Sequence, residues 1–195
     1  MRADLTWNDG ARSRLIELLK RDALKLGEFT LASGRTSHYY IDGRKVTLSA
    51  EGALLIAAGV LDRLASHPEV VAVGGLTMGA DPIVGATLAM ASLLHREGLR
   101  GFLVRKQAKG HGMGNLVEGP LEPGSTVVIV DDVATTGGSS LQAIEAVESL
   151  GCKVALVVVV LDRLEGAAAA FRERGIKFNA LLEIRDLGVE PLKPA

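Results

Sequence analysis

Val127 to Ser140 reads VVIVDDVATTGGSS: four branched aliphatics, two adjacent aspartates, then threonines, glycines and serines with no basic residue among them. The aliphatic run has the character of a strand buried on both faces, as in a parallel sheet. Its C-terminal end delivers Asp131 and Asp132, and a helix is expected to begin near Gly138 and Ser139. Ligands of open α/β sheets bind at that edge. Backbone N–H groups at a helix N-terminus attract an anion, hydroxyls add donors, and glycine lets the main chain close around a phosphate. Two carboxylates would repel that phosphate, so they suit hydroxyl donors such as ribose O2 and O3, or a divalent cation. The ligand is therefore expected to be a phosphorylated sugar. A Walker A loop would need a lysine in the turn, and a dinucleotide fingerprint would need G-x-G-x-x-G after the first strand; the chain has neither. The plainer alternative is a surface loop started by the aspartates, with Ser139 as a helix cap.

Outward from this stretch, strand-like runs alternate with segments of helical period, the pattern of an α/β fold with a mainly parallel central sheet flanked by helices. Helices are expected at Ala11–Leu26, Glu51–Ala65, Pro82–His95, Ser139–Leu150 and Glu165–Arg174. Strands are expected at Val70–Val73, Phe102–Val104, Thr126–Val130, Val154–Leu161 and Phe178–Leu182. FTLASGRTSHYYID, Phe29 to Asp42, reads as two short strands around a Ser-Gly turn, a small N-terminal hood. Arg105 to Gly124 is glycine-rich, has no apolar period and is long for a connector, as functional loops often are. With no linker or repeat to divide it, the chain is expected to form a single domain, 1–195, with a hood over about 1–45, a core over about 46–195 and a mobile loop over about 105–124.

Bulk properties narrow the partners. The 195 residues, 48% of them hydrophobic, suffice for one sizeable core. A net charge of -1 without a dense basic stripe argues against nucleic acid. Cys152 is the only cysteine, which excludes an internal disulfide, suits a buried position and fits a reducing cytoplasm. No basic leader or membrane-length apolar run is present, so a membrane partner is not expected.

VVIVDDVATTGGSS resembles the 5-phosphoribosyl-1-diphosphate (PRPP) motif of the type I phosphoribosyltransferases: a hydrophobic strand, an acidic pair and a T-x-G-x-[ST] loop. Three other blocks are similar to those of orotate phosphoribosyltransferases, in the same order. FTLASGRTSHYYID resembles their hood, GGLTMGADPI (Gly74–Ile83) their diphosphate loop, and RKQAKGHG (Arg105–Gly112) their mobile catalytic loop. The resemblance covers roughly Leu24 to Asp186 and implies transfer of the 5-phosphoribosyl group from PRPP to orotate, in pyrimidine synthesis.

It also implies roles for particular residues. PRPP would be held by Asp131, Asp132, Val133, Ala134, Thr135, Thr136, Gly137, Gly138 and Ser139, with Arg105, Lys106, Lys109 and His111 closing over the diphosphate. Lys109, His111 and Arg105 would be catalytic and would act across a homodimer interface. Thr135 and Arg163 would read orotate, the arginine because its planar fork suits a carboxylate; its plainer reading is a salt bridge with Asp162 or Glu165. Mg2+ would be the cofactor, held mainly by PRPP and water with no direct protein ligand. The cationic loop stands independently as chemistry: four basic side chains within seven residues suit a leaving diphosphate, and loop closure would exclude water. Many members of the family carry lysine where Ala32 and Met78 stand here. The alternatives are a purine-type phosphoribosyltransferase, a PRPP-sensing regulator without turnover, and a plain nucleotide-binding module.

Overall fold

The computed structural model describes residues 6–30, 34, 36–96, 98–107 and 116–192. Asn8 caps the first helix by accepting from the Ala11 N–H at 2.9 Å. Helix α1 runs Asp9–Leu18 and passes through a wider π-helical turn, Leu19–Ala23, into β1, Leu24–Thr30. The remaining elements are β2 (Thr36–Ile41), α2 (Arg44–Thr47), α3 (Ala50–Leu64), β3 (Ala72–Leu76), α4 (Asp81–Leu93), β4 (Arg100–Val104) and β5 (Val117–Glu118). Then come β6 (Thr126–Ala134), α5 (Gly138–Glu148), β7 (Lys153–Asp162), α6 (Ala167–Glu173), β8 (Lys177–Glu183) and a 3-10 turn, Ile184–Leu187.

The main sheet has the order β5-β4-β3-β6-β7-β8, parallel throughout except that β5 runs antiparallel to β4. Val127 to Val130 of β6 are wholly buried and divide between two layers. Val128 and Val130 face a core with Leu15, Leu18, Ile56 and Ile83 from α1, α3 and α4. Val127 and Ile129 face a second core with Ile144 and Phe171 from α5 and α6. A strand sandwiched this way needs aliphatics at successive positions, each contributing roughly 1.5–3 kcal/mol on burial.

Three features open the site. The chain places β4 on one side of β3 and β6 on the other, which creates a topological switch point between β3 and β6. The β3–β6 ladder ends at the pair Gly74 and Ile129, although β6 continues beside β7 to Ala134, so the two strands part at their C-terminal ends. The hood is the antiparallel hairpin of β1 and β2, with an irregularity between Leu26 and Phe29 where Gly27 takes φ 151°. Ser37, Tyr39 and Ile41 point inward from β2 while Tyr40 stays exposed.

Several boundaries differ from the sequence expectation. The first helix stops well before Leu26, because Leu24 to Leu26 pair with Tyr39 to Ile41 and the ladder captures residues whose spacing is helical. Strand β3 is shifted to Ala72–Leu76 and includes two glycines of low strand propensity. The acidic pair belongs to β6 rather than following it. Within the interval that showed no apolar period, Val117 and Glu118 form an edge strand on β4, and Arg105 N–H donates to Leu116 O at 2.8 Å.

Candidate active site

A cleft of about 610 Å3 opens where β3 and β6 diverge. Its walls come from distant parts of the chain: Tyr40 to Arg44 after the hood, Leu76 to Gly79 after β3, Asp131 to Val133 and Thr135 around the end of β6, and Lys106, Ser139 and Arg163. The Thr77–Met78 peptide in this wall is cis. Gly79 is held against both carboxylates: a Cβ there would stand 2.5 Å from Asp131 Oδ1 and 2.8 Å from Asp132 Oδ1. Gly43 approaches from the hood side, where an added Cβ would lie 2.9 Å from Asp132 Oδ2.

The acidic pair faces the cleft, Asp131 buried and Asp132 half-buried. Asp131 is 5% exposed, and its Oδ2 accepts from the hydroxyls of Ser139 and Ser140. The Val133 N–H donates to Asp132 Oδ1 at 2.9 Å. Burial pushes the Asp131 carboxyl up to about 6, against the hydrogen bond from Ser139, and also raises Asp132. An anionic pair kept in this state favours a ligand that donates hydrogen bonds or carries positive charge.

The turn after β6 leads into the N-terminus of α5, the kind of helix end whose N–H groups attract an anion. Gly137 takes φ 84° as N-cap of α5, and an added Cβ would meet Phe171 Cζ at 2.9 Å, so both conformation and packing require glycine there. The turn is tied to the next crossover: Arg163 N–H donates to Ala134 O at 2.9 Å and Ala167 N–H to Thr135 O at 3.1 Å. Ser139 was expected to offer its hydroxyl to a phosphate, but that hydroxyl donates its hydrogen bond to Asp131. Of the turn residues expected to bind, Asp131, Asp132, Val133, Thr135 and Ser139 line the cleft, whereas Ala134 is buried at 2% exposure and Gly137 packs on Phe171. Thr136 and Gly138 are not among the residues that line the cleft.

Arg163 reaches the same cleft from the end of β7. The expected alternative, pairing with Glu165, is also present: Arg163 Nη2 lies 2.9 Å from a Glu165 carboxylate oxygen. Of the cationic loop, Lys106 lines the cleft, and Gln142 Nε2 donates to its carbonyl oxygen at 3.1 Å. Arg105 instead pairs with Glu118 at 2.9 Å and is not a lining residue. Lys109, His111 and Ala32 lie outside the described residues.

Residues 51–172 match the phosphoribosyl transferase domain family. The chain is 48% identical over 182 residues to the orotate phosphoribosyltransferase of Rhodopirellula baltica, covering 91% of this chain and 94% of that protein. The chain belongs to the orotate phosphoribosyltransferase family. The crystal structure of the Mycobacterium tuberculosis H37Rv family member in complex with Fe(III) dicitrate is similar, with a TM-score of 0.79 and 39% identity, over 92% of this chain and 99% of that one. The same enzyme in complex with PRPP gives a TM-score of 0.75 at 36% identity, again over 92% and 99% of the two chains.

Set among orotate phosphoribosyltransferases, this chain carries in or behind the cleft wall residues to which its sequence gave no site role. Arg44 enters from α2, paired through its Nε with Asp42 at 2.9 Å, which raises the guanidinium and lowers the carboxyl. Tyr39 and Glu165 form a buried contact with Arg163 across the hood and the β7 end. The alternation in SHYYI was the available signal for Tyr39: residues two apart on a strand share a face. Glu165 was legible only as a salt-bridge partner of Arg163; its contact with Tyr39, 126 positions away, has no local signal. Met78, where many members of the family carry lysine, is 63% exposed and lines the cleft without charge.

Proposed function

We propose that this chain transfers the 5-phosphoribosyl group from PRPP to orotate, forming the bond between the anomeric carbon and the base nitrogen while the bond to diphosphate breaks. The observation that carries this reading is one cleft holding a largely buried acidic pair, the backbone of a phosphate-type turn and an inward-facing arginine. The turn backbone suits the 5-phosphate. Asp131 and Asp132 suit the ribose hydroxyls, and their charge favours the positive character that the ribose develops as diphosphate departs. Arg163 suits the orotate carboxylate, a requirement that purine bases lack.

Mg2+ belongs to this reading as well. Two carboxylates match the one or two that magnesium takes from protein when substrate phosphates supply other ligands, and Asp131 and Asp132 would meet it through bound water. When bound it neutralises charge on the leaving diphosphate. Arg105, Lys106, Lys109 and His111 would clamp that diphosphate, the loop reaching across a homodimer interface. Leu48, Leu93 and Leu94, each at least half exposed, supply apolar surface for a second copy to cover. A cytoplasmic site of action fits the single buried cysteine; among the described residues no helix is long and apolar enough to cross a membrane.

The direct test offers PRPP and magnesium with orotate, hypoxanthine, adenine and uracil separately, and measures diphosphate release. Orotate is expected to support turnover; turnover with a purine and none with orotate refutes the proposal. The shared site has its own test. Lys109→Ala is mixed under mild denaturant with Thr136→Pro, which damages the PRPP turn, and native mass spectrometry confirms the mixed dimer. One site of that dimer is complete, so activity should recover roughly a hundredfold above the Lys109→Ala parent, the scale of one transition-state contact. Confirmed mixed dimers no more active than either parent would place the loop's action within its own chain.

A further inference from the structure

Arg163 is held on two sides by groups outside the PRPP turn. Its Nε donates to the Tyr39 hydroxyl at 3.2 Å, and the guanidinium carbon lies over the Tyr39 ring, 4.8 Å from the centroid. The Tyr39 hydroxyl donates in turn to Glu165 Oε1 at 3.0 Å. The same oxygen lies 2.9 Å from Arg163 Nη2. Nη2 is sealed from solvent and has no aligned hydrogen bond, so its contact with Glu165 is one of charge. The Glu165 side chain is 4% exposed, Tyr39 only 1%. Between Arg163 and Glu165, Leu164 takes φ 59°, and its N–H donates to Asp162 Oδ1 at 2.8 Å; this turn lets the two side chains meet.

We infer that Glu165, with Tyr39, is a positioning residue that locks Arg163 so that a ligand carboxylate is met by Nη1 alone. Nε is taken by Tyr39 and Nη2 is sealed from solvent against Glu165, which leaves Nη1 as the guanidinium nitrogen that neither group engages. Recognition is then by a single fixed edge rather than by the open fork expected from the sequence. It needs less ordering on binding, because the side chain is already held. The buried carboxylate offsets the guanidinium charge, so selectivity for an anionic base comes from placement of the donor more than from net charge. Glu165 does not touch substrate in this arrangement; it acts through Arg163. The inference rests on the assignment of Arg163 to the orotate carboxylate.

The experiment is a steady-state series on the full-length protein: Arg163→Ala, Glu165→Ala, Glu165→Gln, Tyr39→Phe and the double variant Arg163→Ala with Glu165→Ala. Glu165→Ala is expected to raise the KM for orotate about tenfold, the scale of one lost charge-assisted contact, with the KM for PRPP unchanged. Glu165→Gln, which keeps an acceptor for the Tyr39 hydroxyl but loses the charge facing Nη2, should raise the orotate KM by less than Glu165→Ala does, about threefold. The double variant should match Arg163→Ala alone, since removing the positioner has no effect once the positioned group is gone. Should Glu165→Ala fail to fold, Tyr39→Phe carries the same expectation, because it deletes the hydroxyl that joins the other two groups. If Arg163→Ala raises the orotate KM while Glu165→Ala and Tyr39→Phe leave it unchanged, or if the double variant is clearly worse than Arg163→Ala, the positioning role is overturned and the arginine assignment stands. If Arg163→Ala itself leaves the orotate KM unchanged, both are overturned.

Discussion

At pH 8 the Asp131→Asn, Asp132→Asn double variant is expected to melt several degrees higher than the parent while turning over about a thousandfold more slowly. The two effects share one cause. Burial raises both carboxyls, Asp131 to about 6 from an ordinary value of 3.8. The folded chain therefore holds these protons more tightly than the unfolded chain. The stability associated with the proton is fully present below the unfolded value and is lost as pH rises through about 6. At pH 8 the Asp131 anion alone is confined at a cost on the order of 3 kcal/mol, and an amide of the same shape removes it, which for a chain of this size corresponds to roughly 6–12 °C. Function runs the other way. Loss of two charged acceptors at about 2 kcal/mol each gives the thousandfold decrease. PRPP affinity in the parent should accordingly strengthen as pH rises through the same region where the empty protein loses stability. Calorimetric PRPP titration and thermal melts from pH 5 to pH 8 check both slopes. Unchanged PRPP affinity with the fold intact would reduce the pair to turn formers.

Gly75→Ala is expected to lose about 3–4 kcal/mol of stability, enough to leave a marginal domain largely unfolded on mild stress. A Cβ at this position would stand 2.2 Å from the backbone oxygen of Val130 and 2.8 Å from Ala80 Cβ. The closest of these atoms is main chain in the central strand, so no rotamer change relieves the overlap. Either β3 separates from β6 or the turn into α4 moves, and both consequences reshape the cleft wall. The control is Gly98→Ala, where an added Cβ meets nothing within 4 Å and the midpoint should move little. Urea unfolding followed by circular dichroism reads both. A Gly75→Ala midpoint indistinguishable from that of Gly98→Ala would show that β3 and β6 tolerate separation at this point.

Much of the fold is legible in order of residues alone, for a physical reason visible in β6. A strand buried on both faces must be aliphatic at every position, so Val127 to Val130 identify a central parallel strand without reference to anything distant. The acidic pair and the turn that follows are equally local: Gly137 has to be glycine because of its own backbone angle as well as its neighbour. Errors fell where partner strands decide. Leu24 to Leu26 have helical spacing with the residues before them, but backbone pairing with β2 claims them. Val117 and Glu118 carry too short a pattern to register, and become a strand only because β4 has a free edge.

The sequence by itself determined the α/β class, from strand-like and helical patterns alternating along the chain, and the local order of an aliphatic strand, an acidic pair and a glycine-containing turn; the reading of Arg163 toward the base rested on the family resemblance, since locally it reads as well as a partner of Glu165. Only the tertiary structure decided how those groups are used. Ser139 donates its hydrogen bond to Asp131, and Arg105 is held by Glu118. Arg163 is turned by Tyr39 and Glu165, one of them more than a hundred positions away along the chain. Burial, which raises the acidic pair and seals one side of the guanidinium, is a property of neighbours brought together by the sheet. A pattern of residue types names the groups that can react; the desolvation and pairing that set their charge and direction exist only once distant segments have packed around them.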